Sequence, residues 1–360
     1  MKKIYFTPGP SQLYFTFEEH FKKALREQIA SISHRSLDFS KIYQQTEENL
    51  RTLLNLPEQY HIGFTSSATE IWERISENLI EKNSFHLVNG DFSANFHKTV
   101  NTLNKHAVSV QSELGTCSDI STLEIPDEAE LIGLAQNETS TGAAMPLENI
   151  YLLREKYPDK LLTIDAVSSL PVIDLNLEMV DSVYCSVQKC FGMPAGLGIW
   201  IYNDRCLEKA LKLKNKGVFH DTYHSILNIH KFGKKHQTPC TPNVLYIYLL
   251  GKIVNDMLLK SIDMIRRESK YKAALLYNLF DSHERLSSFV KEKNHRSLTV
   301  ATAVVKDGPE NLIEKLNEKG IVIGSGYGSL KDSQVRIASF PTHSKEQIEL
   351  MVDTIEGIDF

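Results

Sequence analysis

The chain has 360 residues, with 40 Lys and Arg against 45 Asp and Glu and a formal net charge of −5. No long run of one sign occurs, so nucleic acid or an anionic membrane is a poor partner for it, and the length suffices for two domains whose cores need no staples. The five scattered cysteines, no membrane-length apolar run, and an N-terminus that reaches Pro8-Gly9-Pro10 too soon for a signal peptide together predict a reduced, cytoplasmic protein.

In chain order, Phe6-Thr-Pro-Gly-Pro-Ser11 cannot continue a helix or a central strand, because proline fixes φ and removes donors. Residues 1 to about 15 therefore read as an arm. Phe17, Phe21, Leu25 and Ile29 have helical spacing, the chain breaks at Ser31-Ile-Ser-His34-Arg35-Ser36, and a second helix spans about 39–54. His34 and Arg35 in such a loop are either a solvated pair or a binding element, and a guanidinium fork suits carboxylate or phosphate. The strand 61–65 then meets Ser66-Ser67-Ala68-Thr69, after which Ile71, Ile75 and Leu79 give a helix. Strand, small hydroxyl residues, helix is the arrangement of an anion site, since free amides and the positive end of the helix dipole face the ligand; it is also the pattern of an ordinary N-cap.

Further strands are expected at 85–89, 106–110, 131–135, 161–165, 181–185 and 197–202, with helices over about 92–104 and 147–157. Seven strands alternating with helices between 60 and 202 predict an α/β fold with a mostly parallel sheet covered on both faces. The strand Leu161-Leu-Thr-Ile-Asp165 ends on an acid where a parallel sheet places its ligands. Between the last two strands lies Ser186-Val-Gln188-Lys189-Cys-Phe-Gly192-Met-Pro-Ala-Gly-Leu-Gly198, with glycine and proline for a tight turn. A lysine desolvated there would have a lowered pKa and could form a Schiff base with a carbonyl; its alternative is a strand-end lysine reaching to solvent. Pyridoxal 5′-phosphate requires such a lysine, and a carboxylate to keep its pyridine nitrogen protonated. Lys189 and Asp165 fit the two roles.

After a helix at about 205–214, the segment 216–237 reads as a polar loop, and its histidines do not have the spacing of a zinc site. Leu245, Leu249, Ile253, Met257, Ile262 and Ile265 predict helices over 242–280. Strands at 298–304, 321–323 and 335–338, a helix at 309–319 and a last helix opened by a Ser344/Gln347 capping box form a smaller α/β unit.

Six strings in order, Phe6–Ser11, Ser33-His-Arg-Ser36, Asn137-Glu-Thr-Ser-Thr-Gly142, Asp165-Ala-Val-Ser-Ser169, Gln188-Lys189 with Pro194–Gly198, and Thr238-Pro-Cys-Thr-Pro242, make the chain resemble the class V aminotransferases, a group of fold-type I pyridoxal-phosphate enzymes. The resemblance is to the phosphoserine and the serine or alanine:glyoxylate branches. It implies an arm (1–15) packed with the small domain, a large cofactor-binding domain (16–250) with a seven-stranded sheet, and a small C-terminal domain (251–360). It also implies a catalytic pair, Lys189 and Asp165, with cofactor contacts from Ser67, Ala68, Thr69, Phe92, Thr139 and Gln188. Gln237 and Thr238 would reach the partner's cofactor phosphate across a homodimer interface. His34, Arg35 and Arg336 would bind substrate, Arg336 at the α-carboxylate. The implied reaction moves an amino group between a small amino acid and a 2-oxo acid, with phosphoserine and 2-oxoglutarate first and glyoxylate or pyruvate exchange as the alternative. The chain departs from phosphoserine enzymes at 324–334, where Lys331 replaces a basic pair. A cysteine-desulfurase chemistry would need a late reactive cysteine, and none follows Cys240.

Overall fold

The computed structural model describes residues 3–360. From the N-terminus come β1 (Ile4–Phe6), α1 (Phe17–Arg26) and α2 (Leu37–Leu54). Strands and helices then alternate through β2 (Tyr60–Thr65), α3 (Ala68–Leu79), β3 (Asn83–Val88), α4 (Asp91–Thr102), β4 (His106–Gln111) and β5 (Leu131–Ala135). A short hairpin, β6 (Asn137–Glu138) and β7 (Ala143–Ala144), precedes α5 (Leu147–Lys156), β8 (Leu161–Asp165), β9 (Ser182–Ser186), β10 (Gly198–Asn203) and α6 (Asp204–Asn215). After α7 (Ile226–Gly233), α8 (Val244–Lys260) and α9 (Ile262–Ser282) come β11 (Leu286–Ser288), β12 (Val300–Val305), α10 (Glu310–Glu318), β13 (Ile321–Ser325), β14 (Gln334–Ala338) and α11 (Lys345–Glu356).

The large sheet has seven strands in the order β2-β10-β9-β8-β5-β3-β4, in which β10 alone runs antiparallel to its neighbours. Its strands β5, β8, β9 and β10 are buried throughout because both faces are covered, whereas the edge strand β4 is largely exposed. Side chains alternate across β10: Ile199 and Ile201 enter the core beneath α2, α5 and α8, while Trp200 and Tyr202 enter the one beneath α3, α4 and α6. The small sheet, β1-β13-β14-β12-β11, packs on α9, α10 and α11 around a separate core.

The N-terminal arm joins the two cores. Phe6 lies in the small-sheet core through the parallel pairing of β1 with β13, and Tyr14 lies in the large-sheet core. β1 is an edge strand of the small sheet, and the chain leaves it at Phe6, before Pro8. Residue 250 lies inside α8, whose buried hydrophobic residues from Val244 to Met257 all belong to the large-sheet core; Ser261, with φ +75°, separates α8 from α9, and within α9 the packing passes from the large-sheet core at Ile265 to the small-sheet core from Ala273 onward. The segment 216–237, expected as a loop, contains α7, whose Ser225 Oγ accepts from Asn228 N at 3.2 Å. Its apolar Ile226 and Ile229 are buried among flanking Lys and His that mask the helical period.

Candidate active site

Lys189 sits in the turn between β9 and β10, and three backbone bonds shape that turn: Val187 N to Leu197 O (3.2 Å), Met193 N to Val187 O (3.0 Å) and Gly192 N to Lys189 O (2.9 Å). Gly192 has φ +63°, and a Cβ there would stand 2.2 Å from Thr342 Cγ2 and 2.6 Å from Tyr14 N. Tyr14 N also donates to Gly192 O at 2.8 Å, so the arm is seated on this turn. Gly192→Ala combines a left-handed conformation with a clash, and is expected to destabilise the protein by about 3 kcal/mol. Urea unfolding of the two proteins side by side measures it, and a difference below about 1 kcal/mol would contradict this reading.

The lysine is 6% exposed, and its amine donates to Thr139 Oγ1 at 2.9 Å. Burial lowers its pKa to about 8 against the opposing pull of Asp165. Thr139 Oγ1 donates onward to Ser168 Oγ (2.8 Å), and Ser168 Oγ to Asn137 O (3.0 Å), so the hydroxyl that receives the amine is itself oriented. The Phe92 ring centroid lies 5.2 Å from Lys189 Nζ. Gly9 of the arm covers the lysine stem: a Cβ there would be 2.9 Å from Lys189 Cε.

Asp165 ends β8, with Val167 N donating to its Oδ1 at 2.9 Å. Burial raises its pKa to about 6. A second acid on the same sheet, Asp181, shows the contrast. It is surrounded by Arg154, Arg205 (3.1 Å), Leu162 N (2.7 Å) and Asn203 Nδ2 (3.0 Å) and is a structural anchor. Asp165 accepts from Val167 N and, among the described residues, makes no ion pair with an arginine.

At the start of α3, Ser67 Oγ caps Glu70 N (3.1 Å) and Ala68 N is held by Ser186 Oγ (3.0 Å), which fixes the helix end against β9. Thr69 is the next residue of the same first turn, and Gln188, half-buried, adjoins Lys189. Arg336 on β14 reaches the same region from the small sheet: its Nε donates to Ser325 O (2.9 Å), its Nη1 to Thr139 O (3.3 Å), and its guanidinium lies 5.2 Å from the Tyr327 ring.

Arg35 belongs to a different cluster. It is exposed and donates to Gln237 Oε1 (3.0 Å), Thr238 O (2.8 Å) and Pro239 O (3.2 Å), with its guanidinium 4.8 Å from the Phe232 ring. His34 beside it has its pKa lowered by burial and by the Arg35 charge. The structure thus links Lys189, Thr139, Phe92 and Arg336 in one set of contacts, and Arg35, Gln237 and Thr238 in another. No hydrogen bond, ion pair or ring contact joins the two groups among the described residues.

Three features escape sequence reasoning. Glu138, fully buried, accepts from Ser93 N (2.9 Å), Ser140 N (3.1 Å) and Ser140 Oγ (2.6 Å), and so ties the Thr139 loop to the start of α4 that carries Phe92. Ser168, seen only as part of a string, carries the Thr139 hydroxyl. Glu70 bonds Ser66 N (2.8 Å) and His224, and His224 Nε2 lies 3.4 Å from Cys240 Sγ, beside a cavity of ≈490 Å³. Burial opposes the Glu70 charge, but the His224 and Ser66 bonds prevail and hold its pKa down to about 2. Among the described residues no cluster of three or more His, Cys, Asp or Glu is placed to hold a metal, and no helix is long and apolar enough to cross a membrane.

A buried amine at the end of one strand, a carboxylate at the end of another and a helix N-terminus beside them, on a mostly parallel seven-stranded sheet, define a fold-type I pyridoxal-phosphate enzyme. The family model for class-V aminotransferases matches residues 7–349, and the chain belongs to that family. It is a transaminase and its cofactor is pyridoxal 5′-phosphate. A solved phosphoserine aminotransferase from Cytophaga hutchinsonii is 45% identical, with TM-score 0.97 and 99% of both chains covered. The phosphoserine aminotransferase of Rhodococcus opacus is 27% identical over 337 residues, 92% of this chain and 88% of its own. The alanine–glyoxylate aminotransferase of a Nostoc species shares the fold at TM-score 0.82 and 20% identity, over 99% of this chain and 95% of its own.

Proposed function

We propose that the chain exchanges an amino group between L-phosphoserine and 2-oxoglutarate, working in the cytoplasm as a homodimer. The observation that carries this reading is the end-to-end likeness, at 45% identity, to the Cytophaga phosphoserine aminotransferase. The bound cofactor supplies an aldehyde for the amine and a protonated ring that withdraws electrons. Lys189 would hold the cofactor through that aldehyde, and its Nζ is the group that would carry the substrate α-proton. Asp165 keeps the ring nitrogen protonated, Thr139 orients Lys189, Phe92 provides a flat apolar wall, and Ser67, Ala68, Thr69 and Gln188 receive the phosphate. Arg336 grips the α-carboxylate. Arg35, His34, Gln237 and Thr238, which cluster away from Lys189 in their own chain, serve the partner's cofactor and the substrate's distal group.

A second reading, exchange between serine or alanine and glyoxylate or pyruvate, is favoured by the loop before β14, where Tyr327 faces Arg336 and Lys331 is the only cation. Adding L-phosphoserine, L-serine, L-alanine and L-glutamate separately to the holoenzyme decides between them. Bleaching of the visible band by phosphoserine and glutamate supports the first reading; bleaching by alanine or serine without phosphoserine overturns it.

Uptake of cofactor by the stripped protein should depend on pH with a defined sign. Attack needs the neutral amine of Lys189, held near 8, and the ionised carboxylate of Asp165, held near 6. The rate is expected to climb from pH 5 through 6, and again to a plateau above about 8. Stopped-flow absorbance measures it, and a rate that is flat between pH 6 and 9 would contradict the lysine assignment.

A further inference from the structure

Two buried donors beside Asp165 have no assigned role. Tyr184 on β9 is the register partner of Asp165 on β8, and is fully buried. Trp72 on α3 is 6% exposed and stacks on Phe96 at 6.1 Å, and Phe96 in turn meets the Tyr184 ring edge-on at 6.3 Å. The Tyr184 hydroxyl and the Trp72 indole N–H are both buried without a hydrogen-bond partner. An unsatisfied buried donor is costly, and native proteins retain few without a reason.

Both groups nonetheless lie near enough to act on the acid. Asp165 is governed first by burial, which raises its pKa, with Val167 N, Lys189 and Trp72 pulling it down and Glu138 pushing it up. The Tyr184 hydroxyl has its pKa raised by burial and then by the Asp165 charge. We infer that Tyr184 and Trp72 are positioning residues for Asp165: their otherwise unpartnered hydroxyl and indole N–H donate to its carboxylate in the ionised form, with or without the cofactor bound. In this way the protein, rather than solvent, keeps the cofactor's ring nitrogen charged.

The inference rests on the cofactor reading, and its test separates the two. In cofactor-free protein labelled with ¹³C at aspartate Cγ, with the signal assigned by Asp165→Asn, the Asp165 midpoint is expected near 6. Tyr184→Phe removes only the hydroxyl and is expected to raise that midpoint by about one pH unit, with Trp72→Phe doing the same by a similar step. In holoenzyme loaded with ring-¹⁵N pyridoxal 5′-phosphate, the ring-nitrogen resonance of both variants should move toward the unprotonated position, and cofactor affinity should fall about tenfold. Lost packing alone would shift melting temperature but not the carboxyl midpoint. Midpoint and nitrogen resonance unchanged in whichever variant folds overturn the inference, whereas a wild-type protein that takes up no cofactor overturns the cofactor reading as well.

Discussion

Lys189→Ala is expected to lower transamination by on the order of 10⁴-fold and to abolish the visible band of the lysine-linked cofactor. Its amine is buried, makes one hydrogen bond, to Thr139 Oγ1, and is held near pKa 8, so close to neutrality that it can both bind a carbonyl and shuttle a proton. Among the described residues no second amine stands ready to replace it: Lys272 is the other buried lysine there, but its Nζ is bound to the Phe340 and His343 carbonyls. Activity within about tenfold of wild type in a folded Lys189→Ala protein would remove the basis of the proposed chemistry, whereas noncovalent retention of the cofactor by that variant would fit it, since the α3 start and Asp165 remain. Removing the lysine also frees the Thr139 hydroxyl without disturbing its bond to Ser168, so the loss belongs to the amine and not to a collapsed site.

Asp165 is legible because it ends an apolar strand, and Lys189 because it lies in the turn just past one, and a parallel sheet gathers strand ends at one edge. The seven strands are legible for the same reason: runs buried on both faces stand out against polar connections. Glu138 is not legible in its role. It reads as one polar residue in a polar string, and only the fold reveals that its carboxylate binds the start of α4, 45 residues away in sequence. Glu70, His224 and Cys240 are equally opaque, since a separation of 154 residues between the first two carries no local signal. The helix α7 was concealed by its Lys and His, although its Ser225 cap was there to be read. The pairing of β1 with β13 could not be anticipated from a stretch dominated by Pro and Gly, because an edge position follows from tertiary placement.

Lys272 is the clearest instance of a residue whose importance the fold alone discloses, and Lys272→Ala is expected to lower the unfolding free energy by about 3–5 kcal/mol. In the sequence of α9 it is one of several charged residues on a helix, yet it is 1% exposed. Its Nζ donates to Phe340 O and His343 O, both at 2.8 Å, and burial lowers its pKa to about 8. Truncation leaves those two carbonyls unpaired and empties the volume of the stem; Lys272→Met, which keeps the volume, should cost about 1–3 kcal/mol. The sign with pH is fixed by the lowered pKa. Between about 8 and 10.5 the unfolded chain holds the proton and the folded one does not, so this residue favours folding more as pH rises through that window. Urea titrations of the variants at pH 7 and 9.5 read both effects, and the wild-type advantage over Lys272→Met should be larger at the higher pH. The same change reaches the active site. His343, in the turn that Lys272 anchors, has its Nε2 2.9 Å from Tyr5 O and its ring stacked on Phe6 at 4.7 Å, and the arm beyond Phe6 places Gly9 against the Lys189 stem. Loosening the turn therefore releases the cover over Lys189, and Lys272→Met is expected to raise KM several-fold more than it lowers kcat. An unchanged KM in a measurably destabilised variant would show that the arm holds its place without this anchor.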